Sequence, residues 1–257
     1  MVLTEHKKFY DEIFQIKGFL ESPFLMFGFQ ELSQGFNPRL KDAKSFKGLL
    51  HLMGVKEVTV LDYEDPRADI HFDMNYPFDQ NTNKFIGSCN VVADVGCLEH
   101  VFNSAQAMKN CMDAVKVGGL YFLHTPIAGY YRHGLHTFNS DMLKWVVKNN
   151  GFKIIYCHYS DKEGKEIPEP KFNYQGNILI WLVARRIEVK DKFHVPIQDR
   201  QTIHESRRNS KKKTVVGEWD APKGRGKYPW NGGKCVFPRE GMGYMLEDDK
   251  VGVLSIS

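Results

Sequence analysis

The stretch Asn90-Val91-Val92-Ala93-Asp94-Val95-Gly96-Cys97-Leu98-Glu99-His100-Val101 decides the fold. Its first six residues are an almost unbroken apolar run, as expected of a strand buried on both faces of a sheet. It ends on an acidic residue and a glycine, and residues 104–115 follow with helical spacing. The same alternation extends in both directions. Upstream, Phe24-Leu25-Met26-Phe27-Gly28-Phe29 reads as a short buried strand and residues 39–53 as a helix closed by Gly54. Residues 57–63 read as a β-branched strand ending in Asp62, and residues 68–72 as a weaker one ending at Asp73. Downstream come a turn at Lys116-Val117-Gly118-Gly119 and a strand over 120–124. The helix predicted over 140–150 is capped by Asn139 or Ser140 and stopped by Gly151. Strands over 152–159 and 177–185 have no helix between them and pair antiparallel. A first helix covers 4–20, with Thr4 as cap.

Strand–helix alternation predicts an α/β, Rossmann-like, doubly wound sheet of seven strands. It is mostly parallel, with an antiparallel C-terminal hairpin strand. Such sheets bind ligands at the carboxyl ends of their strands, near the point where strand order reverses. The residues to examine are therefore Gly28, Asp62, Asp73, Asp94 to Gly96, and His124.

The 257 residues are 42% hydrophobic and 26% charged, which excludes a disordered or fibrous chain. No apolar stretch is long enough to span a membrane, and residues 1–8 lack the apolar core of a signal peptide. Five dispersed cysteines, without a C-x-x-C pair, suggest a reducing compartment, hence a cytoplasmic protein. The net charge of +4 is uneven: Arg185 to Cys235 holds fourteen Lys/Arg against six Asp/Glu. Two parts follow: a mildly acidic α/β domain at 1–187 and a basic, aromatic-rich C-terminal extension at 188–257. The cluster Arg207-Arg208-Asn209-Ser210-Lys211-Lys212-Lys213, with Trp219, Tyr228 and Trp230, suggests nucleic-acid contact through 205–230. Packing of those aromatics on the core or on a second copy, in a homo-oligomer, is the favoured alternative.

Four segments together resemble successive motifs of class I S-adenosylmethionine-dependent methyltransferases: Asp62, residues 70–78, residues 90–101 and residues 117–122. The Leu98-Glu99-His100-Val101 step and the Lys-x-Gly-Gly turn are the most specific, and the resemblance spans about residues 24–185. It is greatest to the bacterial-type branch that acts on small molecules and sugars, with His133-Gly134 in the loop after the fifth strand. It implies S-adenosylmethionine as cofactor. Asp62, beside Tyr63, then holds the ribose hydroxyls, Asp73 accepts from the adenine amino group, and Met74 stacks on the ring. Asp94, Val95 and Gly96 line the floor under the methionine part. The family's glycine-rich first loop is degenerate here: Phe27-Gly28-Phe29-Gln30-Glu31-Leu32-Ser33-Gln34-Gly35 keeps one matching glycine. Gln30 or Glu31 is left to hold the amino-acid end. Asn90 stands where the family usually has Asp.

The acceptor is expected at the loop over 125–138. His133 and His136 are the stronger candidates for a proton-accepting group, His100 the weaker, and His124, Tyr130, Tyr131 and Arg132 line the acceptor pocket. No metal is expected, because the histidine spacings lack an acidic partner in register. The functional expectation is methyl transfer to a small-molecule or sugar acceptor. The alternatives are an inactive binding or scaffold protein of the same fold, and a nucleic-acid methyltransferase guided by the tail. The last lacks the Asn/Asp-Pro-Pro-Tyr/Phe step of enzymes that act on base amino groups.

Overall fold

In the computed structural model, the described residues are 4–33, 36, 43–170 and 176–196, with the backbone of 234–236 and 245–247. The chain divides into two units, 1–196 and 197–257. In the second unit, β9 (Lys234–Val236) and β10 (Met245–Glu247) pair antiparallel. Residues 205–230, and with them the expected nucleic-acid and oligomer contacts, lie outside the described residues.

The first unit is built on an eight-stranded mixed sheet. Its strands are β1 (Phe24–Phe27), β2 (Val58–Asp62), β3 (Ile70–His71), β4 (Cys89–Val95), β5 (Val115–Ala128), β6 (Phe152–Asp161), β7 (Glu166–Ile167) and β8 (Ile178–Arg186). Their order is β3-β2-β1-β4-β5-β8-β6-β7. The strands β3, β2, β1, β4 and β5 are mutually parallel, and β8 runs antiparallel between β5 and β6. The expected hairpin strand is therefore inserted into the sheet rather than added at its edge. The eighth strand corrects the expected count of seven. It is a two-residue edge strand opposite Tyr159 and Ser160.

Alternation along each strand separates two cores. One face carries Leu25, Phe27, Leu61, Val92, Tyr121, Leu123 and Leu182, covered by α3 (Ser104–Ala114) and α4 (Ser140–Asn149). The other carries Met26, Val60, Val91, Ala93, Phe122, Trp181 and Val183. It is covered by α1 (Lys7–Phe14) and α2 (Phe46–Leu52). Helices on both faces leave only the two ends of the strands for a ligand.

The caps follow the sequence. Asn139 Oδ1 accepts from the amides of Asp141 (2.8 Å) and Met142 (3.2 Å), which starts α4. Gly151, at φ +85°, ends it. Other boundaries moved. The first helix stops at Phe14, and the chain turns through Gly18 at φ +93°. In α2 the first described helical residue is Phe46, after Ser45, whose hydroxyl accepts from the Gly48 amide; residues 37–42 lie outside the described set. The expected turn at 116–119 belongs to β5 instead. A Cβ on Gly119 would lie 2.8 Å and 2.9 Å from the Asn90 and Cys89 carbonyl oxygens, so only glycine lets β5 start here against β4.

Candidate functional site

Strand order reverses at β1, which pairs with β2 on one side and β4 on the other. Beyond its carboxyl end the chain turns sharply at Gly28 (φ +80°). The Gly28 amide bonds to the Leu61 carbonyl at 2.8 Å, and the Phe29 amide to Asp62 Oδ2 at 2.8 Å. Asp62 Oδ1 accepts the amides of Glu64 and Asp65, both at 3.0 Å. The Asp62 carbonyl accepts from Phe72 at 2.9 Å, which places Asp73 next to this corner. Gly28, Asp62 and Asp73 are thus brought together as the sequence suggests.

Their surroundings differ from the sequence reading in three respects. Glu31 is exposed and paired with Arg67 (2.6 Å), whose guanidinium lies 4.1 Å over the Phe29 ring. It points into a surface ion pair rather than toward an amino-acid end. Met74 is buried, with the Cys97 thiol 3.5 Å from its sulfur, so it packs in the core. Gln30 is buried too: a Cβ on Gly28 would meet its Nε2 and the Cys97 Cβ, each at 3.3 Å. The chain's own side chains therefore close over the glycine. Tyr63 is exposed, and Phe27 and Val95 are core residues.

Asp94, fully buried at the end of β4, accepts the amides of Cys97 and Leu98 on Oδ1, both at 3.1 Å. Its Oδ2 is buried with no hydrogen-bond partner among the described residues. Burial, and then the charge of Glu99, push its carboxyl up to about 8. The folded chain therefore holds this proton more tightly than the unfolded chain. The contribution of this one group to stability is greatest at low pH, falls as pH rises from the ordinary carboxylate range, and levels off above about 8. Asp94→Asn keeps the Oδ1 acceptor and removes the titration. Between pH 5 and pH 8 the urea midpoint of the wild type should fall relative to that of the variant. Equal drops would place the titration elsewhere.

Across β4 lies a second cluster. The 3-10 turn Leu98–His100 holds Glu99, only 1% exposed. The Thr125 hydroxyl donates to Glu99 Oε2 at 2.9 Å, leaving Oε1 facing the loop after β5. That loop is docked on the turn. The amides of Leu135 (2.7 Å) and His136 (3.0 Å) both bond to the Glu99 carbonyl, and the His136 ring to the Phe102 carbonyl at 3.0 Å. Gly134, at φ +76°, permits the approach, since a Cβ there would lie 2.8 Å from the Glu99 carbonyl oxygen. His133 Nε2 is consequently 3.8 Å from Glu99 Oε1, and its ring is 5.1 Å from that of His100. Tyr130 lies beside His133 (ring centres 5.7 Å apart), and its amide bonds to Asn177 Oδ1 at 2.9 Å. Burial pushes its hydroxyl up to about 12. Tyr131 and Arg132 are exposed.

Glu99 is the residue the sequence reading missed. Its signal was the Leu-Glu-His step itself, because only the docked loop brings a histidine from thirty-odd positions away into register with it.

His124 is placed apart from this cluster. Adjacent strand residues point to opposite faces, so Thr125 faces Glu99 while His124 lies under α1. It is buried, stacked on Trp181 at 3.9 Å and near His6, with neither ring nitrogen hydrogen-bonded among the described residues. Burial holds it well below the usual histidine range. Its expected role in the acceptor pocket does not fit this position.

No protein-family profile and no curated protein matches the chain. Several solved structures are similar in shape. The 1,6-didemethyltoxoflavin-N1-methyltransferase of Burkholderia thailandensis, solved with bound 1,6-didemethyltoxoflavin and S-adenosylhomocysteine, is 12% identical. The match covers 64% of this chain and 71% of that one, with a TM-score of 0.42. TehB from Haemophilus influenzae is 15% identical over 70% of this chain and 62% of that one, at 0.43. For the CMeT domain of the citrinin polyketide synthase the identity is 13%, over 64% of this chain, at 0.41. There the match spans about half (46%) of the other chain.

Proposed function

We propose that the chain binds S-adenosylmethionine at the carboxyl ends of β1, β2 and β4 and passes its methyl group to a small-molecule or sugar hydroxyl. The observation that carries this reading is the corner of Gly28, Asp62 and Asp73 at the point where strand order reverses. The polar groups there fit the cofactor. Asp62 Oδ2 accepts one amide and has a lone pair left for a ribose hydroxyl. Asp73, whose Oδ1 holds Asn75, offers its other oxygen to an amino group. Asp94 Oδ2, without a hydrogen-bond partner among the described residues, lies at the floor.

When bound, the cofactor supplies an electrophilic methyl on a sulfonium, and transfer leaves a thioether, a methylated acceptor and one proton. The protein's work is alignment and the exclusion of water. The acceptor lies at Glu99, His100 and His133, where its proton leaves. The exposed side chains of Phe102, Tyr131 and Leu135, on the same two segments, give it an apolar surface. Hydrogen exchange with and without S-adenosylhomocysteine tests the placement. Protection is expected at residues 28–30 and 62–65; protection confined to other segments contradicts it.

A second reading, a binding protein of the same fold without methyl transfer, is favoured by the packing of Cys97 and Gln30 over Gly28. It predicts no protection by the cofactor product anywhere.

A further inference from the structure

We propose that Glu99, His100 and His133 form a binding site for one divalent transition-metal ion, with zinc the representative. One donor atom from each of the three lies within 4.8 Å of the other two. Zinc–ligand bonds of about 2.0–2.1 Å put tetrahedral donors about 3.4 Å apart, so the three need only draw together slightly. The adjustment falls on the movable partners: both imidazoles are exposed, whereas Glu99 is buried and held.

The electrostatics call for a cation. A buried carboxylate is stable when paired or metal-bound. Among the described residues Glu99 has no Lys or Arg within ion-pair distance, and its one charge partner is His133, at 3.8 Å. The site is also built around its carboxylate. Thr125 bonds Oε2 at 2.9 Å and so orients Oε1, as outer hydrogen bonds orient metal ligands. The loop that brings His133 is fastened to Glu99 itself by the Leu135 and His136 amides, through the approach that Gly134 allows.

Two histidines and one carboxylate leave coordination positions open, the pattern of a site that binds an exchangeable oxygen ligand. If the methyl-transfer reading holds, on which this last step rests, that ligand is the acceptor's hydroxyl. The ion polarises it, and its proton passes to solvent as the new O–CH3 bond forms and the S–CH3 bond breaks.

Zinc chloride titration into the full chain by calorimetry, without cofactor, tests the site. Binding of one ion per chain at micromolar or lower concentration is expected. Glu99→Gln and His133→Ala should each weaken it at least about tenfold, and Thr125→Val about tenfold or more. His194→Ala, an exposed histidine outside the cluster, should leave it unchanged. Cobalt(II) gives a readout that does not depend on stability: the visible absorption of a four- or five-coordinate ion in the wild type, lost in His133→Ala. No saturable binding, or binding unaffected by Glu99→Gln and His133→Ala, overturns the proposal. Zinc binding without S-adenosylhomocysteine binding leaves the ion site standing and removes the methyl-transfer reading. The converse result removes the ion alone.

Discussion

Trp181→Ala should cost about 3–5 kcal/mol of stability, the largest effect of any single truncation considered. Trp181 is on β8, the strand inserted between β5 and β6, and is fully buried. It stacks on Phe9 at 4.8 Å and on His124 at 3.9 Å, and meets Tyr10 edge-on at 5.1 Å. It therefore ties α1 to the middle of the sheet. Its indole N–H donates to the buried Ser160 hydroxyl at 2.9 Å. Truncation leaves a large cavity and an unpartnered hydroxyl; Trp181→Phe leaves mainly the latter and should cost about 1–3 kcal/mol. Urea unfolding measures both. A loss below about 1 kcal/mol for the alanine variant would contradict the insertion of β8 beneath α1.

Asp62→Ala should have the largest effect on ligand binding, weakening S-adenosylhomocysteine at least about a hundredfold. Two losses combine. The carboxylate proposed to meet the ribose is gone, and so is the acceptor that holds the Phe29, Glu64 and Asp65 amides and thereby shapes the turn after Gly28. Asp62→Asn separates them. Its Oδ1 retains an acceptor for Glu64 and Asp65, while its amide group loses the Phe29 bond and cannot accept a ribose hydroxyl. Calorimetry on the three proteins should rank them wild type, Asn, Ala. Equal affinity in all three would move the pocket away from this corner.

The sheet was legible because its strands are apolar runs closed by acidic or glycine residues, and Asn90 to Val95 is the clearest of them. The short β7 was hidden, since it is only two residues, Glu166 and Ile167, inside a charged loop. The entry to β5 was misread as a turn because Gly118-Gly119 is ordinary turn chemistry; only the closeness of the Cys89 and Asn90 carbonyls shows why glycine is needed there. At the site, the order of Gly28, Asp62 and Asp73 could be read from strand ends alone. The facing of side chains could not. A shift of one residue separates His124, under α1, from Thr125, beside Glu99. The partnership of Glu99 with His133 depends on how a loop docks, and chain spacing does not encode that.

In the proposed function the Gly28–Asp62–Asp73 corner holds S-adenosylmethionine. Calorimetric titration of the wild-type chain with S-adenosylmethionine and S-adenosylhomocysteine tests it most directly. Saturable binding of one molecule per chain, lost in Asp62→Ala, is the predicted result. Absence of binding to both ligands at high protein concentration would contradict it.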